Sequence, residues 1–103
     1  MPEIWDELQA IYRRKRAQHV LFALERGPRR YTDIQTDVTM ATGKALHSHT
    51  LSDTLKWLQE HDYIEHHQYD DNADYRLTTN GQDLVRILGE INRMYRRRRT
   101  RDD

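Results

Sequence analysis

Apolar residues recur along this chain at two different spacings, and the switch between them outlines the fold. Ile4, Trp5, Leu8, Ile11 and Tyr12 lie on one face of a helical wheel and predict a first helix from Pro2 to Tyr12. A basic block interrupts that face. Val20, Leu21 and Leu24 then resume it, with Phe22 and Ala23 alongside, predicting a second helix over Arg14 to Arg26, separate from the first or merged with it. Gly27-Pro28 closes this helix, because glycine suits a left-handed cap and proline cannot continue the turn. Tyr31 can make a short strand contact, after which Thr32 is the expected N-cap of a short helix, Asp33 to Val38. Asp33 in its first turn suits the helix dipole. Thr39 to Leu46, with Thr42-Gly43-Lys44, reads as a long turn holding one helical turn at most. His47 or Ser48 can cap the next helix, which turns Leu51, Leu55 and Leu58 inward and stops near His61-Asp62.

Beyond that point the helical spacing lapses. Tyr63 to Tyr69 is a strand, Asp70-Asp71-Asn72-Ala73 carries turn chemistry, and Asp74 to Leu77 returns as the second strand. Thr79-Asn80-Gly81-Gln82 fits a capping box, with Thr79 as N-cap and Gln82 reaching back. Leu84, Ile87, Leu88, Ile91 and Tyr95 then form the apolar stripe of a last helix, and residues 96–103 make a frayed basic tail. With no repeat and no linker, residues 1–103 predict a single domain. It is mainly α with a small antiparallel β-hairpin, the plan of a winged helix-turn-helix, a fold most often used to read duplex DNA.

Composition narrows the chemistry. Hydrophobic residues are 36% and charged residues 33%, so the helices are amphipathic with solvated outer faces. There are no cysteines, which removes disulfides, thiolate metal sites and thiol redox sensing. No apolar run approaches the ~20 residues that span a bilayer. Met1-Pro2-Glu3-Ile4-Trp5 has neither a basic cap nor an apolar signal core, so a soluble cytoplasmic protein with no membrane partner is expected. Formal net charge is zero, yet its distribution is uneven. Arg13, Arg14, Lys15 and Arg16 form one basic block, Arg29 and Arg30 a second, and Arg93, Arg96 to Arg99 and Arg101 a third. Acids gather at Glu3, Asp6 and Glu7 and at Asp70, Asp71 and Asp74. Phosphate responds to the field of a local patch, so a neutral total does not exclude nucleic acid.

Gly27-Pro28-Arg29-Arg30-Tyr31, the Leu51/Leu55/Leu58 helix, Asp62-Tyr63-Ile64, Tyr75-Arg76-Leu77-Thr78 and Gly81 follow one another in a specific order. In this the chain resembles the HxlR-like branch of bacterial winged helix-turn-helix regulators. The resemblance implies a DNA-binding transcription factor, usually dimeric, with the helix near 48–61 lying in the major groove. Members commonly carry a cysteine near the N-terminus; here there is none, so a thiol-sensing mechanism does not carry over. Arg16 stands where a tryptophan is usual.

On such a helix the exposed N-terminal positions meet base edges. His47, Ser48, His49, Thr50 and Ser52 offer imidazoles and hydroxyls for bases or phosphates, and Lys56, one turn further on, reaches for the backbone. Ser48 is also a helix cap, and the two roles are compatible. The set holds no arginine for guanine and no Asn or Gln for adenine, so binding is easier to derive than sequence specificity. Arg29, Arg30 and Lys44 are further phosphate contacts, and Arg76 or His67 is the basic approach from an otherwise acidic wing. Either that wing stays off the DNA or its surface has another use.

Other chemistries find no footing. Adjacent His66 and His67 point to opposite faces of a strand, and His47 and His49 are poorly spaced on a helix start, so no metal and no cofactor is expected. Asp70-x-Asn72-x-Asp74 lacks the glycine and glutamate of a calcium loop. No phosphate loop, nucleophile motif or acid–base pair argues for an enzyme. The terminal helices, with Ile4, Trp5, Leu8 and Ile11 at one end and Leu84, Ile87, Leu88, Ile91 and Tyr95 at the other, either cover each other within one subunit or pair across a two-fold axis. The second is preferred, because symmetric dimers dominate small oligomers. The expected protein is thus a homodimeric DNA-binding regulator, more readily a repressor, with a small-molecule effector allowed but unspecified. The alternative is a winged-helix module for protein interaction without sequence-specific DNA binding.

Overall fold

A computed structural model describes residues 4–101, with side chains from Trp5 to Arg98. Five helices and one two-stranded antiparallel sheet follow in the order α1 (Ile4–Tyr12), α2 (Lys15–Ala23), α3 (Tyr31–Thr42), α4 (Ser48–Glu60), β1 (Ile64–Tyr69), β2 (Asn72–Leu77) and α5 (Thr79–Arg101). The class is the one expected, mainly helical with a small hairpin. Every element contributes to one apolar core. Ile11, Ala17, Val20, Leu21, Leu24, Ile34, Val38, Leu51, Leu55 and Leu58 are at most 2% exposed, and Ile64, Leu84, Val85 and Leu88 close its lower edge. No polar or charged residue is buried among the described residues, so the core rests on apolar burial, worth ~1.5–3 kcal/mol per large side chain.

The helix-turn-helix is longer in its first arm than predicted. α3 starts at Tyr31 after an extended Arg30 N-cap, not at Asp33 after Thr32, and it continues to Thr42. Residues 39–42, expected in the turn, are therefore its last turn. Gly43 ends it at φ +70°, with its N–H bonded to the Thr39 carbonyl. That left-handed conformation is the one glycine adopts without a Cβ penalty. The remaining connection to α4 is pinned by buried Leu46, whose carbonyl accepts a 2.8 Å hydrogen bond from Gln35 Nε2. Tyr31 makes no strand contact; Arg29 does, exchanging backbone hydrogen bonds of 3.0 and 2.8 Å with Tyr75. α2 ends at Ala23 with Leu24 as its cap, three residues before the expected stop.

α4 ends in a reciprocal pair of hydrogen bonds. Asp62, at φ +61°, donates to the Gln59 carbonyl, and Tyr63 donates to that of Leu58. The pattern satisfies carbonyls that the end of a helix leaves open. The hairpin pairs Ile64 with Leu77 through Tyr69 with Asn72, so its turn is only Asp70-Asp71, with Asp70 at φ +46°. β2 thus begins at Asn72, two residues earlier than expected. At α5 the cap is Thr78, not Thr79: its Oγ1 accepts from Gly81 N at 3.0 Å, and no Gln82 box forms. α5 remains helical through Arg101, past the point where the basic tail was expected to fray. Pro2, where the first helix was expected to begin, and Asp102 and Asp103 lie outside the described residues, as does the side chain of Ile4.

Two glycines of α5 should respond oppositely to a methyl group. A Cβ on buried Gly81 would sit 2.0 Å from the Tyr63 carbonyl oxygen, which is backbone and cannot turn aside. Gly81→Ala should cost about 3 kcal/mol, at the upper end of overpacking. Gly89 has nothing within 4 Å of its Cβ position, so Gly89→Ala should stabilise the helix by about 0.5–1 kcal/mol. Urea unfolding reads both; equal effects would show that the α4–α5 approach is looser than described.

Candidate nucleic-acid interface

With Leu51, Leu55 and Leu58 locked in the core, α4 has its orientation fixed, and its polar positions must face out. His47, Ser48, His49, Ser52, Asp53 and Lys56 are all exposed. His47, not Ser48, is the N-cap residue, with φ −70° and ψ 145° and no side-chain cap bond. Ser48 is the first helical residue and holds the helix in another way. Tyr31 Oη donates 2.8 Å to the Ser48 carbonyl and lies 3.1 Å from Ser52 Oγ, tying the start of α4 to the start of α3. His49 Nε2 lies 3.2 Å from Asp53 Oδ2, one turn away. Thr50 is half-buried and faces the α2 side of α4, away from the outward crest. The crest accordingly holds His49, Ser52, Asp53 and Lys56.

The expected phosphate contacts separate into two groups. Arg29 is occupied by Asp37: Nε donates at 3.1 Å, and Nη2 makes a shorter contact to the same carboxylate oxygen. That hydrogen bond, and then the nearby charge, raises the guanidinium pKa. Arg29 therefore joins α3 to the hairpin rather than standing free. Arg30, one residue on, is exposed and donates 3.0 Å to Asn72 Oδ1 beside the hairpin turn. Lys44 and Lys56 are exposed, and neither makes an ion pair among the described residues. On the wing, Arg76 donates to Asp74 at 3.0 and 3.1 Å and to Tyr69 Oη at 2.8 Å, and the hydrogen bond to Asp74 raises its pKa. His67 lies 2.8 Å from Glu65. Of the wing's four acids, Asp74 is thus bonded to Arg76 and Glu65 lies against His67, and the tip is left to Asp70 and Asp71.

The proposed dimer residues divide as well. Ile11, Leu84 and Leu88 are buried in the subunit's own core. Leu8 and Ile91 are half-buried. Trp5, Ile87 and Tyr95 remain 72%, 42% and 61% exposed, with Met94 beside them at 49%.

Two arrangements were not read from the sequence. Tyr31 can make a short strand contact as an isolated residue, and its place at the head of a helix next to Ser48 and Ser52 emerges only after folding. Trp57 was given no role, yet the Arg14 guanidinium sits 4.6 Å from its ring centroid and the His61 ring stacks on it at 4.1 Å. Glu7 completes this cluster, accepting 2.7 Å from Tyr63 Oη and lying 3.8 Å from His61 Nδ1. Burial and that hydrogen bond push the Tyr63 phenol well above its usual range. The C-terminal end of α4 is thereby strapped to α1 and to the junction before α2.

This arrangement, two packed helices with a hairpin wing beside the second, matches the HxlR-like helix-turn-helix family over residues 12–102. The chain belongs to that family. No curated protein sequence matches it. Among solved structures it is similar to the reduced form of the transcriptional regulator YodB from B. subtilis, with a TM-score of 0.75 and 19% identity over 89% of this chain and 88% of that one. RosR from H. salinarum gives a TM-score of 0.73 and 21% identity over 84% and 86% of the two chains. A transcriptional regulator from Clostridium thermocellum gives 0.69 and 17% over 89% and 93%. At such identities the likeness establishes the fold. Family membership makes this HxlR-like protein a DNA-binding regulator in the coarse sense. Among the described residues no helix is long and apolar enough to cross a membrane.

Tyr31→Phe isolates the tether at the start of α4. It should lower stability by about 1 kcal/mol, the usual net value of one hydrogen bond. Amide exchange should quicken at Leu51 and Ser52 while the core of α2 is unchanged. Unaltered exchange at those positions would show that buried leucines alone hold this turn.

Proposed function

We propose that this HxlR-like protein is a transcriptional repressor, not an enzyme, that binds duplex DNA as a homodimer through α4 and works in the cytoplasm of a bacterium. The observation that carries the reading is α4 itself: apolar on one face to the point of complete burial, and on the other a crest of His49, Ser52, Asp53 and Lys56 in which His49 lies against the one acid. Its N-terminal turn is held by Tyr31, which suits insertion of that end into a major groove. Arg30, Lys44 and Lys56 are assigned to phosphates, and His47, Ser48, His49 and Ser52 to base edges or phosphates. Thr50 has a lesser share because it turns toward the α2 flank. The exposed stripe of Ile87 and Met94, with Trp5 on α1, is assigned to the two-fold contact.

A second reading is favoured by one observation, the charge of the hairpin tip. Exposed Asp70 and Asp71 repel phosphate and suit a basic protein partner. Steep salt dependence of duplex binding separates the two readings.

Lys56→Ala and Arg30→Ala should each lower the salt slope by about one unit, whereas Arg29→Ala should lower the melting temperature and leave the slope alone. A slope change in Arg29→Ala equal to the others would place Arg29 on the DNA after all. Asp70→Asn with Asp71→Asn should tighten binding to any duplex several-fold, and the gain should shrink with salt because screening shortens exposed charges to ~8 Å at physiological ionic strength. Weaker binding would mean that these acids serve a contact.

Sedimentation should show a dimer at micromolar concentration, and Ile87→Glu should give a folded monomer with reduced duplex affinity. A wild-type monomer at that concentration defeats the dimer. Two copies of α4 about 34 Å apart otherwise require a near-palindromic site.

A further inference from the structure

The basic block before α2 has no place in the interface just described, yet the fold gives it a definite one. Arg13, Arg14, Lys15 and Arg16 line a cleft of about 720 Å³ between the start of α2, the end of α3 and the inner flank of α4, and Lys44 faces them from the helix-turn-helix connection. His19 also lines this space, and Asp53 is its one acid. That acid is already engaged by His49 at 3.2 Å. None of the five lysine and arginine side chains makes an ion pair among the described residues. Arg14 instead rests on the ring of Trp57, which forms part of the wall with Leu46 and Val38.

Two features of this cleft ask for negative charge, and a third suits it to an organic molecule. Five lysine and arginine side chains converge on a single acid, Asp53. The N-terminus of α2 opens into it with no acidic residue in its first turn and no side-chain cap, so the positive end of the helix dipole adds to the same field. The walls supply apolar and aromatic surface beside the cations, as small-molecule sites do, and the volume is within the usual ~300–1,000 Å³ of such sites. A duplex backbone needs an open ridge or stripe, and the cleft shares only Asp53 with the crest of α4 and only Lys44 with the phosphate contacts proposed above.

We propose that this cleft binds a small organic polyanion, a molecule with two or more phosphate or carboxylate groups, held by Arg13, Arg16 and Lys44 against the Trp57 wall. Thr50, Asp53 and Trp57 belong to both the cleft and α4, so an anion seated there places negative charge along the flank of the reading helix. It repels an approaching phosphate backbone and weakens duplex binding. This regulatory half rests on the DNA-binding reading above; the binding half does not.

The full chain is titrated by calorimetry at 0.15 M salt with pyrophosphate, citrate and ADP, with adenosine as the uncharged control. At least one of the three anions should bind with one molecule per chain, and adenosine should not. Arg13→Gln with Arg16→Gln should weaken that binding at least tenfold without moving the thermal melt, since both side chains are exposed. Lys44→Gln, on the opposite wall, should weaken it as well, and Arg13→Lys with Arg16→Lys should recover part of it. No binding of any anion, or binding indifferent to both sets of variants, overturns the site. Duplex affinity is measured separately. In the absence of anion the Arg13/Arg16 glutamine pair should keep the wild-type salt slope; a slope lowered by about two units assigns the cleft to the DNA backbone and overturns the proposal. Saturating anion should weaken duplex binding by the wild type and not by the variants, and equal affinity with and without anion overturns the regulatory half while leaving the binding result to stand by itself.

Discussion

Three elements of this protein meet on the backbone of two residues, and the geometry of the whole depends on that meeting. Asp62 closes α4 from a left-handed conformation, and Tyr63 donates back to the Leu58 carbonyl. The Tyr63 carbonyl then accepts from Thr78 N at 3.1 Å, and the Asp62 carbonyl accepts from Thr78 Oγ1 at 2.6 Å. Gly81 can press against the Tyr63 carbonyl because it has no Cβ. Asn80 adds a 2.8 Å bond to the Asp62 carboxylate. The end of α4, the start of the hairpin and the start of α5 are thereby set at one fixed angle. Rotating any of the three would strand polar backbone groups next to an apolar core, which costs more than the contacts themselves gain.

From that junction the functional surface is laid out by exclusion. Leu51, Leu55 and Leu58 consume one face of α4, the Tyr31 hydroxyl holds its first turn, and the Trp57–His61 stack with Glu7 holds its last. What remains outward is the crest proposed above to face DNA. The hairpin is attached along the same side, joined to α3 through the Arg29–Tyr75 bridge and through Arg30 to Asn72.

A net charge of zero is compatible with nucleic-acid binding because pairing in this protein is selective. Arg29, Arg76 and Arg86 are each matched by a neighbouring carboxylate and serve the scaffold. Of the cations without such a carboxylate partner among the described residues, Lys56 lies on the crest of α4, Lys44 and the Arg13–Arg16 block lie beside it, and Arg93, Arg97 and Arg98 lie on α5. Local fields decide binding, and α2 alone among the five helices carries no acid of its own.

The order of the helices, the position of the hairpin, the inward leucines of α4 and the family likeness were all legible in the sequence, because each rests on local periodicity or on residues close together in the chain. Boundaries governed by capping were less so. Thr78 and Thr79 are equally able caps as isolated residues, and only the approach of Gly81 to Tyr63 selects the first. Thr42-Gly43-Lys44 predicts a long turn from Thr39, while the helix runs on to Thr42, with Ile34 and Val38 buried in the core and Gly43 as its left-handed cap. Side-chain partnerships across the fold were not legible at all. Arg29 and Arg30 are identical in sequence terms, yet one faces Asp37 and the other reaches the hairpin. The Arg13–Arg16 block read as a charge run until the fold brought Lys44 and Trp57 to it. A sequence specifies which faces must be buried; which charges then stand next to one another depends on distances between segments far apart in the chain, and the tertiary structure alone decides those.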